Sequence, residues 1–217
     1  MSLLTLIEDL STGHKFEYDP DEHIYRIDGN VVENPTTVFK SLGLIDLTHA
    51  TEQGKNLGTA VHRATHFMDE NDLEITECDS RLRPYVEAWC KFKDEMRFVP
   101  HLIEKQCYSL TYRFGCTPDR YGFLAESTPA VVEIKTTEPQ DYVDLQLAAQ
   151  ALALAEYKPV ASLAGLEAAD LIRLCVWIRK DGTYKVIECR DYTHDRCAWL
   201  AALTLYRWKG DEKYEHK

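Results

Sequence analysis

The run Gly115-Cys116-Thr117-Pro118-Asp119-Arg120-Tyr121-Gly122 is followed, after a short break, by Ala130-Val131-Val132-Glu133-Ile134-Lys135-Thr136-Thr137. Val131, Val132 and Ile134 are apolar and β-branched, the composition of a buried strand. Glu133 and Lys135 interrupt it. An ion in such a strand costs on the order of several kcal/mol to desolvate unless it is paired or bound to a metal. Side chains alternate along a strand, so Glu133 and Lys135 point to the same face. Asp119 ends the preceding apolar segment and could meet them there. Two readings of these residues stand. One is a strand carrying a surface salt bridge. The other is a site in which two carboxylates hold a hard divalent cation beside an ammonium.

Elements on both sides frame this stretch. Phe16 and Tyr18, then Ile24, Tyr25 and Ile27, then Val31 and Val32, read as antiparallel strands separated by Asp19-Pro20-Asp21-Glu22 and Asp28-Gly29-Asn30. His23 fits a cross-strand surface residue. Asn34-Pro35-Thr36-Thr37 would cap a short helix. Residues 51–70 read as a helix with an apolar stripe of Leu57, Ala60, Val61, Ala64 and Met68, beside which His62 lies. A glycine at position 58 admits close packing or a ligand. His66, one turn beyond His62, reads as a partly exposed helix residue. A second helix is expected from Asp79 to Arg97, capped by Asp79 or Ser80. His101 to Tyr108 alternates as a strand would. Pro139 to Tyr157 reads as a helix, Leu171–Arg179 and Thr183–Cys189 as a hairpin around Asp181-Gly182, and His194–Trp208 as a closing helix.

Pro118-Asp119 with Glu133-Ile134-Lys135 resembles the PD and (D/E)XK halves of the PD-(D/E)XK nuclease superfamily. Gly58-Thr59-Ala60-Val61-His62 is similar to the GxxxH motif of the RecB-like branch. Asp144-Leu145-Gln146-Leu147-Ala148-Ala149-Gln150-Ala151-Leu152 looks like the Q-x-x-x-Y helix that follows the lysine strand there. His23 to Gly29 with Pro35-Thr36-Thr37-Val38-Phe39 resembles the start of phage-type exonucleases of that branch. The resemblance implies one α/β domain over 1–217, a restriction-endonuclease-like mixed central sheet flanked by helices, with an N-terminal β-hairpin. It implies metal-dependent hydrolysis of DNA, by an exonuclease of recombination or end processing. His62, Asp119, Glu133 and the Ile134 carbonyl would hold one or two Mg²⁺ or Mn²⁺ ions. Lys135 would orient or deprotonate the attacking water or stabilise developing charge. Gln146 would touch the substrate backbone or the lysine. The expected tyrosine is Gln150, which could still hydrogen-bond a phosphate. Glu104 is either a metal-side acid or an exposed strand residue. Arg120 is either a phosphate contact or part of a structural salt bridge. The different-class alternative is a nuclease fold that binds DNA or protein without turnover.

At 217 residues the chain can build one sizeable core and is too short for a helicase fused to a nuclease. No apolar run is long enough for a membrane helix. The N-terminus carries acids early and lacks a basic leader, unlike a signal peptide. Seven scattered cysteines without CxxC spacing suit reduced thiols in a cytoplasmic protein and no iron–sulfur cluster. The net charge of −11 opposes a DNA partner, since phosphate contacts need Lys and Arg. Binding would require local segregation of Lys55, Arg63, Arg113 and Arg120 at the cleft, or pooling of basic residues between subunits or with a partner protein.

Overall fold

The computed structural model describes residues 5–9, 13–46, 48, 51–125, 127–157 and 165–210. Residues 1–4 of the acidic N-terminal stretch lie outside them. Strands β1 (Thr5–Asp9), β2 (His14–Asp19), β3 (Ile24–Ile27) and β4 (Asn30–Val32) form an antiparallel sheet in chain order. The expected hairpin is thus extended to four strands, because Thr5–Asp9 pairs with β2. Helix α1 (Pro35–Ser41) follows, with Asn34 accepting from the Thr37 N–H as the sequence suggested.

Next come α2 (Glu52–Asp69), α3 (Arg83–Met96), β5 (Phe98–Ile103), β6 (Cys107–Ser109), β7 (Phe114–Cys116), β8 (Arg120–Leu124) and β9 (Thr128–Lys135). They lead to α4 (Tyr142–Glu156), β10 (Ile172–Ile178), β11 (Tyr184–Glu188) and α5 (Tyr192–Gly210). The central sheet has the order β11-β10-β9-β8-β5. Only β9 and β10 are parallel, joined through α4, and the other pairs are antiparallel. The expected α/β class with a mixed central sheet and flanking helices is therefore present.

Strand β9 explains why the sheet carries helices on both faces. Ala130, Val132 and Ile134 pack with Val61 of α2 and with Tyr85, Trp89 and Phe92 of α3. Val131 faces the other way, into a core with Val143, Leu147 and Ala151 of α4 and the N-terminal strands. Period-two alternation in a strand buried on both sides produces this division.

Three boundaries differ from expectation. Helix α3 starts at Arg83, with Leu82 at the cap and no side-chain bond there. Pro84 lacks an N–H and fits only the first turn, while Asp79 accepts from the backbone and guanidinium of Arg81 instead. The single strand expected over 101–108 breaks at Glu104, whose φ of 45° is left-handed, and its halves enter different sheets. Helix α4 begins at Tyr142 rather than Pro139. Gly122 is obligatory: an added Cβ would stand 2.1 Å from the Val99 carbonyl oxygen, beside the irregular β5 register between Pro100 and Leu102.

Candidate active site

Strand β8 begins opposite Val132 and leaves the last residues of β9 without a partner on that side. Asp119, just before β8, fills the gap: its Oδ2 accepts from the Ile134 N–H at 2.7 Å. A strand residue's N–H and C=O point to the same side, so the Ile134 carbonyl also faces the end of β8. Helix α2 crosses here and brings His62 Nδ1 to 3.4 Å from Asp119 Oδ1. A Cβ on Gly58 would meet Thr136 Oγ1 at 3.6 Å, an ordinary contact, so close packing does not demand the glycine.

Glu133 is 4 % exposed and fully engaged. Lys135 Nζ donates to its Oε1 at 2.8 Å and Gln146 Nε2 to the same oxygen at 2.9 Å. Gln150 Nε2 donates to Oε2 at 2.8 Å. Lys135 also reaches Gln146 Oε1 at 3.4 Å and lies 5.7 Å from the centre of the Tyr142 ring. Exposure rises outward, with the Glu133 side chain at 5 %, Asp119 at 13 %, Lys135 at 20 % and His62 at 28 %.

These neighbours drive the two carboxyls apart. Burial pushes Asp119 up, but His62, Lys135 and the Ile134 N–H together outweigh it and hold the group below the usual range. Burial and then the nearby Asp119 push Glu133 up, only partly opposed by Lys135 and Gln150. Burial works against charge on Lys135, yet Glu133, Tyr142 and Asp119 prevail and its pKa is raised. Asp119 above all raises that of His62. Paired groups driven in opposite directions are a common feature of sites that do chemistry and of structural ion-pair networks.

Among the described residues, no three His, Cys, Asp or Glu side chains are grouped to hold a metal ion. The reason is local: Glu133 turns to Lys135, Gln146 and Gln150, leaving His62 and Asp119 facing one another. Ligands of an octahedral Mg²⁺ at about 2.1 Å stand about 3 Å apart, close to the His62–Asp119 separation. An imidazole nitrogen, a carboxylate and a backbone carbonyl, with a second carboxylate alongside, make a donor set that suits Mg²⁺ or Mn²⁺. Gln150 Oε1, buried without a hydrogen-bond partner, is a spare acceptor beside Glu133.

The other candidates divide. Gln146 touches the lysine as expected. Gln150 does not face a substrate: it is 1 % exposed and supports Glu133 from the core. Arg120 is not a phosphate contact either. It is wholly buried, with Nε on Asp69 Oδ2 at 2.7 Å. Strand alternation turns it away from the Asp119 side chain and toward α2 and α3. Glu104 donates its N–H to the Asp119 carbonyl at 2.9 Å, but its carboxylate turns to His66 Nδ1 at 3.2 Å. His66 also meets Glu70 at 3.2 Å, so it is a paired residue. His23 is exposed in a turn and meets Tyr18 Oη at 2.6 Å. Arg113 lies at the tip of the β6–β7 hairpin, its guanidinium on the Ile27 carbonyl at 3.5 Å, away from the cleft. Lys55 and Arg63 are exposed on α2.

Sequence reading missed Asp69, Thr65, Trp89 and Lys93. The Asp69 carboxylate is fully buried and accepts from Trp89, from Lys93 at 2.6 Å and from Arg120. The available signal was an aspartate two helical turns after His62, on the same face. Tyr25 was read only as a strand residue. Its hydroxyl meets Thr117 Oγ1 at 2.7 Å and its ring occupies the space beside Gly115, so the N-terminal sheet braces the segment leading to Asp119.

No protein-family model matches the chain, and no curated protein matches it. Among the described residues, no helix is long and apolar enough to cross a membrane.

Proposed function

We propose that this chain is a metal-dependent deoxyribonuclease of the PD-(D/E)XK type, with a restriction-endonuclease-like fold. One observation carries the reading: His62, Asp119, Glu133, Lys135 and Gln146, drawn from separate segments, converge where β9 outruns β8. His62, Asp119 and the Ile134 carbonyl, with Glu133 alongside, would hold Mg²⁺ or Mn²⁺, which would supply Lewis-acid polarisation of a phosphodiester and make water easier to deprotonate. The surrounding groups support particular roles for this chain's own residues. Lys135, whose pKa is raised by Glu133 and Tyr142 against the effect of burial, is suited to donate from Nζ to developing negative charge. Gln146 holds the Glu133 and Lys135 side chains in register. The seven cysteines are all free thiols, which fits a cytoplasmic setting.

A second reading, a nuclease fold that binds without turnover, draws on the full engagement of Glu133 by Lys135, Gln146 and Gln150. Incubation of the protein with linear and covalently closed DNA, in Mg²⁺, Mn²⁺ or EDTA, separates them. An exonuclease degrades the linear form only, requires the metal, and loses activity in Asp119→Ala and Glu133→Ala. Absence of cleavage with either metal, or an active Asp119→Ala protein, refutes the nuclease reading.

A further inference from the structure

Arg120 and Asp69 are fully buried side chains of opposite charge, and burying such a pair seldom increases stability over apolar residues of the same size. Their hydrogen bonds suggest another reason for them. Arg120 Nη1 donates to the Asp119 carbonyl at 2.7 Å. Arg120 Nη2 donates to Thr65 Oγ1 at 3.3 Å, and that hydroxyl donates to the His62 carbonyl at 2.9 Å. Arg120 Nε is held by Asp69, itself fixed by Trp89 and Lys93 of α3. One guanidinium thus joins the backbone of His62 on α2 to the backbone of Asp119 before β8. A planar group with donors in fixed directions can do this, whereas an ammonium on a flexible stem cannot satisfy the three acceptors together.

We propose that Arg120, oriented by Asp69 and linked through Thr65, is a positioning residue that sets the separation of His62 and Asp119 and so the affinity of the site for a divalent cation. The inference rests on the nuclease reading. It acts through geometry: Arg120 is shut off from solvent and touches none of His62, Asp119, Glu133 or Lys135 by a side-chain hydrogen bond, its nearest approach to the carboxylate of a candidate acid being 3.9 Å from Nη1 to Glu104 Oε1.

The test uses the full chain. Thr65→Val removes the hydroxyl link and keeps the ion pair; Thr65→Ser keeps the link; Arg120→Lys keeps the charge and loses the fork. Circular dichroism first establishes folding, and Thr65→Val decides the matter if Arg120→Lys does not fold. Calorimetry with Mn²⁺ is expected to give at least tenfold weaker binding for Thr65→Val and near wild-type binding for Thr65→Ser. With linear DNA, kcat falls in Thr65→Val while KM stays within twofold, because no substrate contact is lost. Folded Thr65→Val protein that binds Mn²⁺ as the wild type does overturns the positioning role and leaves the nuclease reading intact. A wild-type protein that binds no Mn²⁺ overturns both.

Discussion

Replacing Lys135 with methionine removes the ammonium that donates to Glu133 Oε1 at 2.8 Å and leaves an apolar chain of similar length. Glu133 stays buried with only the Gln146 and Gln150 amides as donors. Leaving a buried charge without its partner costs about 3–5 kcal/mol. At roughly 2–4 °C per kcal/mol for a chain of this size, Tm falls by about 6–20 °C. The loss depends on pH. Burial, then Asp119, already raises Glu133 above its ordinary value of 4.5, and Lys135 opposes them. Without Lys135 the folded-state value climbs further. A carboxyl with a raised value binds its proton more tightly in the folded chain. Its contribution to stability is therefore complete below the unfolded value and lost as pH rises through the folded one. The variant should melt close to wild type near about pH 4, where Glu133 is protonated, and fall furthest behind near about pH 8. Thermal melts across this range measure the difference. A deficit that is the same at both ends, or under about 2 °C at the upper end, refutes the reasoning that Lys135 neutralises Glu133.

Three further outcomes are expected. Asp119→Asn removes the charge that faces His62, and calorimetry should show Mn²⁺ affinity lower by at least about tenfold, or about 1.4 kcal/mol, in a protein that still folds; unchanged affinity counts against a cation at that carboxylate. Gly122→Ala places a methyl group against the Val99 backbone and should lower stability by at least about 1–3 kcal/mol in urea titration, whereas Gly58→Ala should cost far less than that. If DNA is the partner, Lys55→Ala and Arg63→Ala should each reduce the slope of log affinity against log salt by about 0.9, while folded Arg120→Gln protein keeps it unchanged; a shallower slope for Arg120→Gln would mean that the buried guanidinium reaches a phosphate after all.

Much of the architecture was legible in the chain. Period-two alternation in β9, the Asn34 cap, the turn at Asp181-Gly182 and the apolar stripe of α2 are local signals, each fixed by the geometry of one element. They sufficed to lay out the strands and helices and to put Glu133 and Lys135 on one face, whereas the mixed central sheet and the pairing of His62 with Asp119 were expected from the motif resemblance. Resemblance to a motif added Gln146, which the structure sets on Glu133 and Lys135. Adjacency along the chain misled for Arg120. It follows Asp119, but strand alternation sends it to the opposite face, into the helix layer. Gln150 misled in a similar way, because its helix face is buried.

Whether a polar residue serves a site or the core depends on which elements meet, and local patterns do not carry that information. Asp69 looks like an ordinary acidic residue at a helix end. Only the crossing of α2 over α3 and β8 surrounds its carboxylate with Trp89, Lys93 and Arg120 and excludes water from it. The strand expected over 101–108 failed for a related reason: its two halves bond to different sheets, and the left-handed turn at Glu104 that divides them is no more favourable for a glutamate than for other non-glycine residues. Residue order sets the strand and helix periods and the chemical groups available. The tertiary structure decided which of those groups face one another, because pairing, burial and orientation arise only when distant segments pack.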